Sequence, residues 1–440
     1  MSIQKTIRHL GNVLKQDNLR YVVIVLIGYV LNYGLHTLLA RYLPPHEYGD
    51  FSVMLTTLGI IVLIIQFGTG GTILKNLSAS LAIKDYAATK SYIFWHSKLI
   101  TILSIISVIV GFALMVLLFI LDTFKYTQLD YLHPITLVFF LAPAAVFLNL
   151  CNAILLAKKR TFASLIPDKI FRNILIIFVL GIFIAIGAQI GAHDALLAFA
   201  VSLILLLIFQ LYKLKDFYAS VIKTNSRVTI DNKWRSQSVK FFFVTILNAS
   251  SYIAGMLLLE LFGNDEADVG IYAAIYIIFS LMGLFVMVLD KMKYPTIVAL
   301  YQKKNSQAIQ ALINRLLVFK ILLCMPIYII IIVFGKNLLG LFNPLFVNGY
   351  LALIIMVSAY FFTLFDFMSK GVLSYCNEQT LNTRIRAIEV AYSIIVTAVL
   401  VYNYQLSGLA IAFASKLLLF SIVRLYFVRK HLGLKCCYVF

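Results

Sequence analysis

Apolar runs of bilayer length recur along almost the whole chain, and that recurrence rules out any fold built around one water-excluded core. A helix needs about 20 apolar residues to cross hydrocarbon. Such runs fall at 21–40, 51–74, 99–121, 132–156, 170–190 and 195–211, and after a polar stretch at 239–259, 269–289, 316–334, 351–374, 388–402 and 408–427. They predict an all-α integral membrane protein with twelve transmembrane helices, six on each side of the polar stretch. With 62% hydrophobic and 12% charged residues, the chain carries about half the charged share of a soluble domain. Its solvent has to be the bilayer.

The charges orient the helices. A net charge of +19 would point a soluble protein toward nucleic acid, but here the positions explain the sum and no nucleic-acid partner is expected. With the N-terminus inside, the outer loops hold only Arg41, Lys125 and Lys336 of the 37 Lys and Arg, and Lys416 lies within a run. All the others count toward the inner side. Glu260, Asp265, Glu266 and Asp268 gather in an outer loop with no basic neighbour. Both termini are therefore expected to be cytoplasmic.

The basic segment 1–20 lacks a signal-peptide cleavage site. Its Ile3, Ile7, Leu10 and Leu14 stand opposite Lys5, Arg8 and Lys15, as in a helix lying on the inner leaflet. Cys151 and Cys324 sit in apolar runs, and Cys376, Cys436 and Cys437 in basic segments. None has metal-site spacing, and no disulfide, metal or cofactor is expected.

The stretch LLARYLPPHEYGDFSV at 38–53 turns the chain between the first two runs, because Pro44 and Pro45 cannot continue the first helix. A degenerate second copy, LLLELFGNDEADVGIYAA at 257–274, sets Asp268-Val269-Gly270-Ile271-Tyr272 against Glu47-Tyr48-Gly49-Asp50-Phe51. Further echoes are LLAKKRTF at 155–162 with SYCNEQTL at 374–381, and Lys98 with Lys320. Since both halves start on the cytoplasmic side, they read as parallel repeats: two six-helix lobes related by a pseudo-two-fold along the membrane normal. The expected divisions are an interfacial amphipathic segment 1–20, an N-terminal lobe 21–212, a cytoplasmic connection 213–238, a C-terminal lobe 239–428 and a basic cytoplasmic tail 429–440.

The first hairpin, Ala-Arg-x-Leu-Pro-Pro-x-Glu-Tyr-Gly, resembles that of the polysaccharide flippases, of the O-antigen flippase type, in the multidrug/oligosaccharidyl-lipid/polysaccharide exporter superfamily. The resemblance implies alternating-access transfer of a polyprenyl-diphosphate-linked oligosaccharide, a precursor of O-antigen, capsule or exopolysaccharide. Transfer would run from the inner to the outer leaflet of the bacterial cytoplasmic membrane, with contact with glycan polymerase machinery. The chain departs from many relatives in the seventh run, where SYIAGMLLL at 251–259 carries no Asp or Arg.

No HExxH, P-loop or GxSxG occurs, so no enzyme and no ATP hydrolysis are expected. A cation-coupled multidrug exporter of the same superfamily is the alternative; it would want a buried acid in the first or seventh run. A membrane-embedded glycan polymerase or ligase is disfavoured by the short outer loops.

Charges within the runs are the candidate substrate-binding groups, since each costs about 2.5–3.5 kcal/mol at mid-bilayer. Lys416 lies in the middle of the last run. Asp366 and Lys370 lie one turn apart, and Asp366 either neutralises Lys370 or Lys416 structurally or lines the pathway. Lys98 and Lys320 either snorkel to the inner surface or receive a diphosphate from it. The resemblance places the first helix, with His36 and Arg41, beside a cleft. Gln66, Asn149, Asn152 and Asn248 suit either a wet path or interhelical hydrogen bonds.

Overall fold

A computed structural model describes residues 16–83, 85–123, 134–158, 160–187, 190–223, 232–263, 265–302, 305–364, 369–375 and 378–434. The amphipathic face read at 3–15, Asp366, and the cysteines at 376, 436 and 437 lie outside the described residues. The helices are α1 (Gln16–Tyr42), α2 (Pro45–Gln66), α3 (Thr69–Ala82), α4 (Tyr86–Thr123), α5 (Pro134–Ala157) and α6 (Thr161–Ile166). After a π-helical turn at Pro167–Phe171 come α7 (Arg172–Ala185), α8 (Ala192–Lys223), α9 (Asn232–Phe262), α10 (Glu266–Gln302) and α11 (Ser306–Phe342). A 3₁₀ turn at Pro344–Gly349 leads to α12 (Tyr350–Thr363), α13 (Ser369–Tyr375) and α14 (Gln379–Leu432). Among the described residues nine helices are long and apolar enough to cross a membrane, or ten if Lys233–Leu247 and Tyr252–Phe262 form one span.

Several boundaries differ from the sequence reading. The turn after α1 is shorter, because Pro45 opens α2 rather than interrupting the chain: its fixed φ suits the first helical position, and Glu47 sits in the dipole-favoured first turn. The run 51–74 is not one helix but breaks at Phe67 and Gly68, both with positive φ. The run 351–374 is divided between α12 and α13. The polar stretch holds the last turns of α8 and the first turns of α9 rather than a plain loop. Runs 388–402 and 408–427, by contrast, are two helices as read, parted within α14 at Gln405 by φ 51° and ψ −134°.

The chain forms two compact units, one of Met1–Leu43 with Met54–Ile246 and the other of Pro44–Val53 with Leu247–Phe440. In the first, Gly111 on α4 lets α5 approach so closely that a Cβ there would lie 2.7 Å from that of Phe139. Ser107 donates to the Phe139 carbonyl at 3.1 Å across the same seam. The side of α4 turned away from this contact exposes Ile102, Ile105, Ile109 and Val116. A helix apolar on both its packed and its exposed faces belongs in lipid. Asn152 on α5 accepts from the Gln210 amide of α8 at 2.8 Å, so this candidate path residue holds helices together.

In the second unit, a core of Ile297, Ile309, Ile313, Leu317, Val372, Leu373, Ile385 and Val428 joins α10, α11, α13 and α14. The two hairpin copies meet here. A Cβ on Gly270 would stand 2.8 Å from the Pro45 carbonyl oxygen and 3.2 Å from the Tyr48 ring. Glycine is what permits that approach.

Candidate functional site

The second unit encloses charge that the bilayer would otherwise exclude. Along the first part of α14, Glu389, Ser393 and Thr397 recur at helical spacing and are all buried. Along the last part, Lys416 and Arg424 bracket Phe420 in the same way, and these too are buried. The parts run antiparallel: Tyr392 donates to Ser415 at 3.2 Å and packs its ring on Phe420, while Glu389 reaches the later Arg424. The turn at Gln405 thus folds two polar stripes onto each other.

At the centre, Arg424 Nη1 donates to Glu389 Oε2 at 2.8 Å, with side-chain exposures of 1% and 5%. Arg386, one turn before Glu389, donates through Nε to the Leu247 carbonyl at 3.3 Å and lies within electrostatic reach of Glu389. So does Lys370 on α13, itself exposed. Lys416 feels Glu389, Arg386 and Arg424. It sits eight residues, or about 12 Å of helix rise, from Arg424. Among the described residues, four cations therefore surround one carboxylate.

An aromatic ladder ends at this cluster. The Lys416 ammonium lies 4.5 Å from the Phe413 ring centre, a cation–π distance. Phe413 meets Phe279 edge-on at 5.2 Å, Phe279 meets Tyr276 at 5.8 Å, and Tyr276 meets Tyr252 at 4.0 Å.

The residues singled out from the sequence separate. Lys370 and Lys416 share the cluster. Lys320 is wholly buried on α11, in electrostatic contact with Cys324 one turn on, so it does not snorkel. Lys98 on α4 is exposed, and the two lysines matched by the repeat have opposite environments. In the first unit, His36 is half-buried on α1 and Arg41 is exposed in its last turn. Glu389, Arg386 and Arg424 were not among the expected site residues. Lys370, read in sequence beside Asp366, has Glu389 as an electrostatic neighbour.

Comparison with known proteins sets this geometry in a family. The model of the polysaccharide biosynthesis proteins matches residues 14–298, well over half of the chain. The chain belongs to that family. The charged cluster lies wholly beyond the matched residues. A Haloferax volcanii protein described as "Probable low-salt glycan biosynthesis flippase" is 21% identical over 428 residues, spanning 97% of this chain and 85% of its own.

Among solved structures, an inward-facing multidrug resistance MATE family transporter of the MOP superfamily superposes with a TM-score of 0.73 at 15% identity, covering 92% of this chain and 94% of that one. A MOP superfamily transporter from Pyrococcus furiosus, whose binding pocket is described as reversed in polarity, gives 0.64 at 16% identity, covering 94% and 95%. The fold is thus that of a multi-pass membrane protein of the MATE type. The likenesses are to transporters and a flippase, not to enzymes.

Proposed function

We propose that the chain is a flippase for a polyprenyl-diphosphate-linked oligosaccharide, a precursor of a surface glycan. It moves the headgroup from the inner to the outer leaflet of a bacterial cytoplasmic membrane, through twelve helices in two six-helix lobes with both termini cytoplasmic. The observation that carries this reading is the surplus of cations around Glu389, with Arg424 and Lys416 buried within an apolar unit.

The family and the Haloferax relative support a role in glycan synthesis. The sign of the cluster supports an anionic cargo and disfavours a cationic drug, which would meet like charge. Sugar hydroxyls cost about 1–3 kcal/mol each when buried unpaired, so the headgroup must cross on polar and aromatic surfaces. The faces of Tyr252 and Tyr276 and the cationic end of the ladder meet that need, while the polyprenyl tail stays in lipid. Alternating rocking of the lobes exposes the site to each side in turn. Outward movement of about two negative charges is helped by roughly 4–5 kcal/mol per 100 mV of inside-negative potential.

The test is export. Lys416→Ala and Lys370→Ala are expected to lower surface glycan at least about tenfold, a loss of about 1.4 kcal/mol in transport free energy. Protein abundance should stay at the wild-type level, and the lipid-linked precursor should accumulate in the inner leaflet. Unchanged export at equal abundance for both variants would refute a cationic pathway.

A further inference from the structure

The cluster contains a feature that anion binding alone does not require: its most buried arginine is already occupied by a carboxylate of the chain itself. We propose that Glu389 is an exchangeable counter-anion, holding the place on Arg424 that a substrate diphosphate takes when it arrives. The inference rests on the diphosphate reading given above.

The geometry suits exchange. A buried guanidinium without a partner is strongly disfavoured, so an empty site needs an internal anion. Glu389 supplies it at 2.8 Å. When a diphosphate engages Arg424, Glu389 does not become isolated, because Arg386 is one helical turn away on the same face and Lys370 and Lys416 lie in electrostatic reach. Arg386 spends its Nε on the Leu247 carbonyl, and its planar fork has further N–H groups to offer. The carboxylate can thus move between cations while Arg424 never stands unpaired.

Exchange also sets a threshold for entry. Bulk phospholipids carry single phosphates and vastly outnumber a lipid-linked precursor. An open cationic pocket would fill with them. A ligand that must displace Glu389 needs more charge than one phosphodiester provides, and a diphosphate has it. Selectivity then comes from a competing group within the protein as well as from attraction.

Titration calorimetry on the full-length protein in detergent, with farnesyl diphosphate and farnesyl monophosphate as probes, decides the matter. Glu389→Gln is expected to raise affinity for the diphosphate about tenfold and to raise affinity for the monophosphate as well, narrowing the preference between them. If Glu389→Gln does not yield folded protein, Glu389→Asp, which keeps the charge but draws it back from Arg424, is compared by the same criterion. A variant that binds the diphosphate no more tightly than wild type overturns the counter-anion role and leaves the transport reading standing. Failure of the wild type and both variants to bind either probe overturns the diphosphate reading itself, and the inference with it.

Discussion

Arg424→Ala is expected to lower stability by about 3–5 kcal/mol, the usual consequence of stripping one member from a buried ion pair. The reason lies in what remains. Glu389 is 5% exposed and would keep a charge whose principal hydrogen bond is gone. The nearby Arg386 would compensate in part, which puts the loss toward the lower end of that range. Replacing both partners by apolar residues, Glu389→Leu with Arg424→Met, should recover most of the difference, since no buried charge is then left unmatched.

Thermal unfolding in detergent measures both variants against wild type. Arg424→Ala unfolding within about 1 kcal/mol of wild type would mean that the pair is solvated and that the cluster is not an interior site. The double variant, if stable, carries a second expectation. It should fail in glycan export, because the pair is present for the cargo and not for the fold.

The sequence showed where apolar helices lie but not where the buried charges meet, and the reason is specific. Basic residues assigned to inner loops by the positive-inside rule include Arg386 and Arg424. Both sit within or beside apolar runs, as does Glu389. The available signal was that Glu389 and Arg424 stand at similar distances on either side of the Gln405 turn, in consecutive runs that have to fold back on each other. An acid and a base so placed reach the same depth. Lys416, by contrast, stands out in the sequence because no other charge lies within seven residues of it.

Gly270, matched in sequence to Gly49, is the position that meets Pro45. Lys98 and Lys320, matched in the same way, have different environments. Helix breaks were the least legible of all. Hydropathy averages over a break when the residues on both sides are apolar.

Gly68→Ala is the sharpest test of such a break. The run 51–74 reads as one continuous span, yet Phe67 and Gly68 adopt φ of 45° and 71° and separate α2 from α3. A left-handed residue with a Cβ costs about 1–2 kcal/mol by itself. Here the Cβ would also lie 2.1 Å from the Ser238 carbonyl oxygen and 2.4 Å from the Phe242 nitrogen. Both are backbone atoms of α9, so no rotamer change relieves the contact.

The same approach seats Phe67 on Phe242 with ring centres 4.8 Å apart, and two further contacts of α9 lie nearby: Asn76 to Gln237 at 3.1 Å, and the Tyr92 ring on Trp234 at 5.1 Å. Moving α9 away from the hinge would strain those contacts together. The expected loss is roughly 3 kcal/mol or more, seen as a lower unfolding temperature and reduced abundance. Gly181→Ala on α7 is the control, because a Cβ there meets nothing within 4 Å and its φ is ordinary. That substitution should be neutral or slightly stabilising, as helix propensity alone would have it. Equal behaviour of the two variants would show that residues 51–74 form the uninterrupted helix that their hydropathy suggests, and that the close approach of α9 to the hinge does not exist.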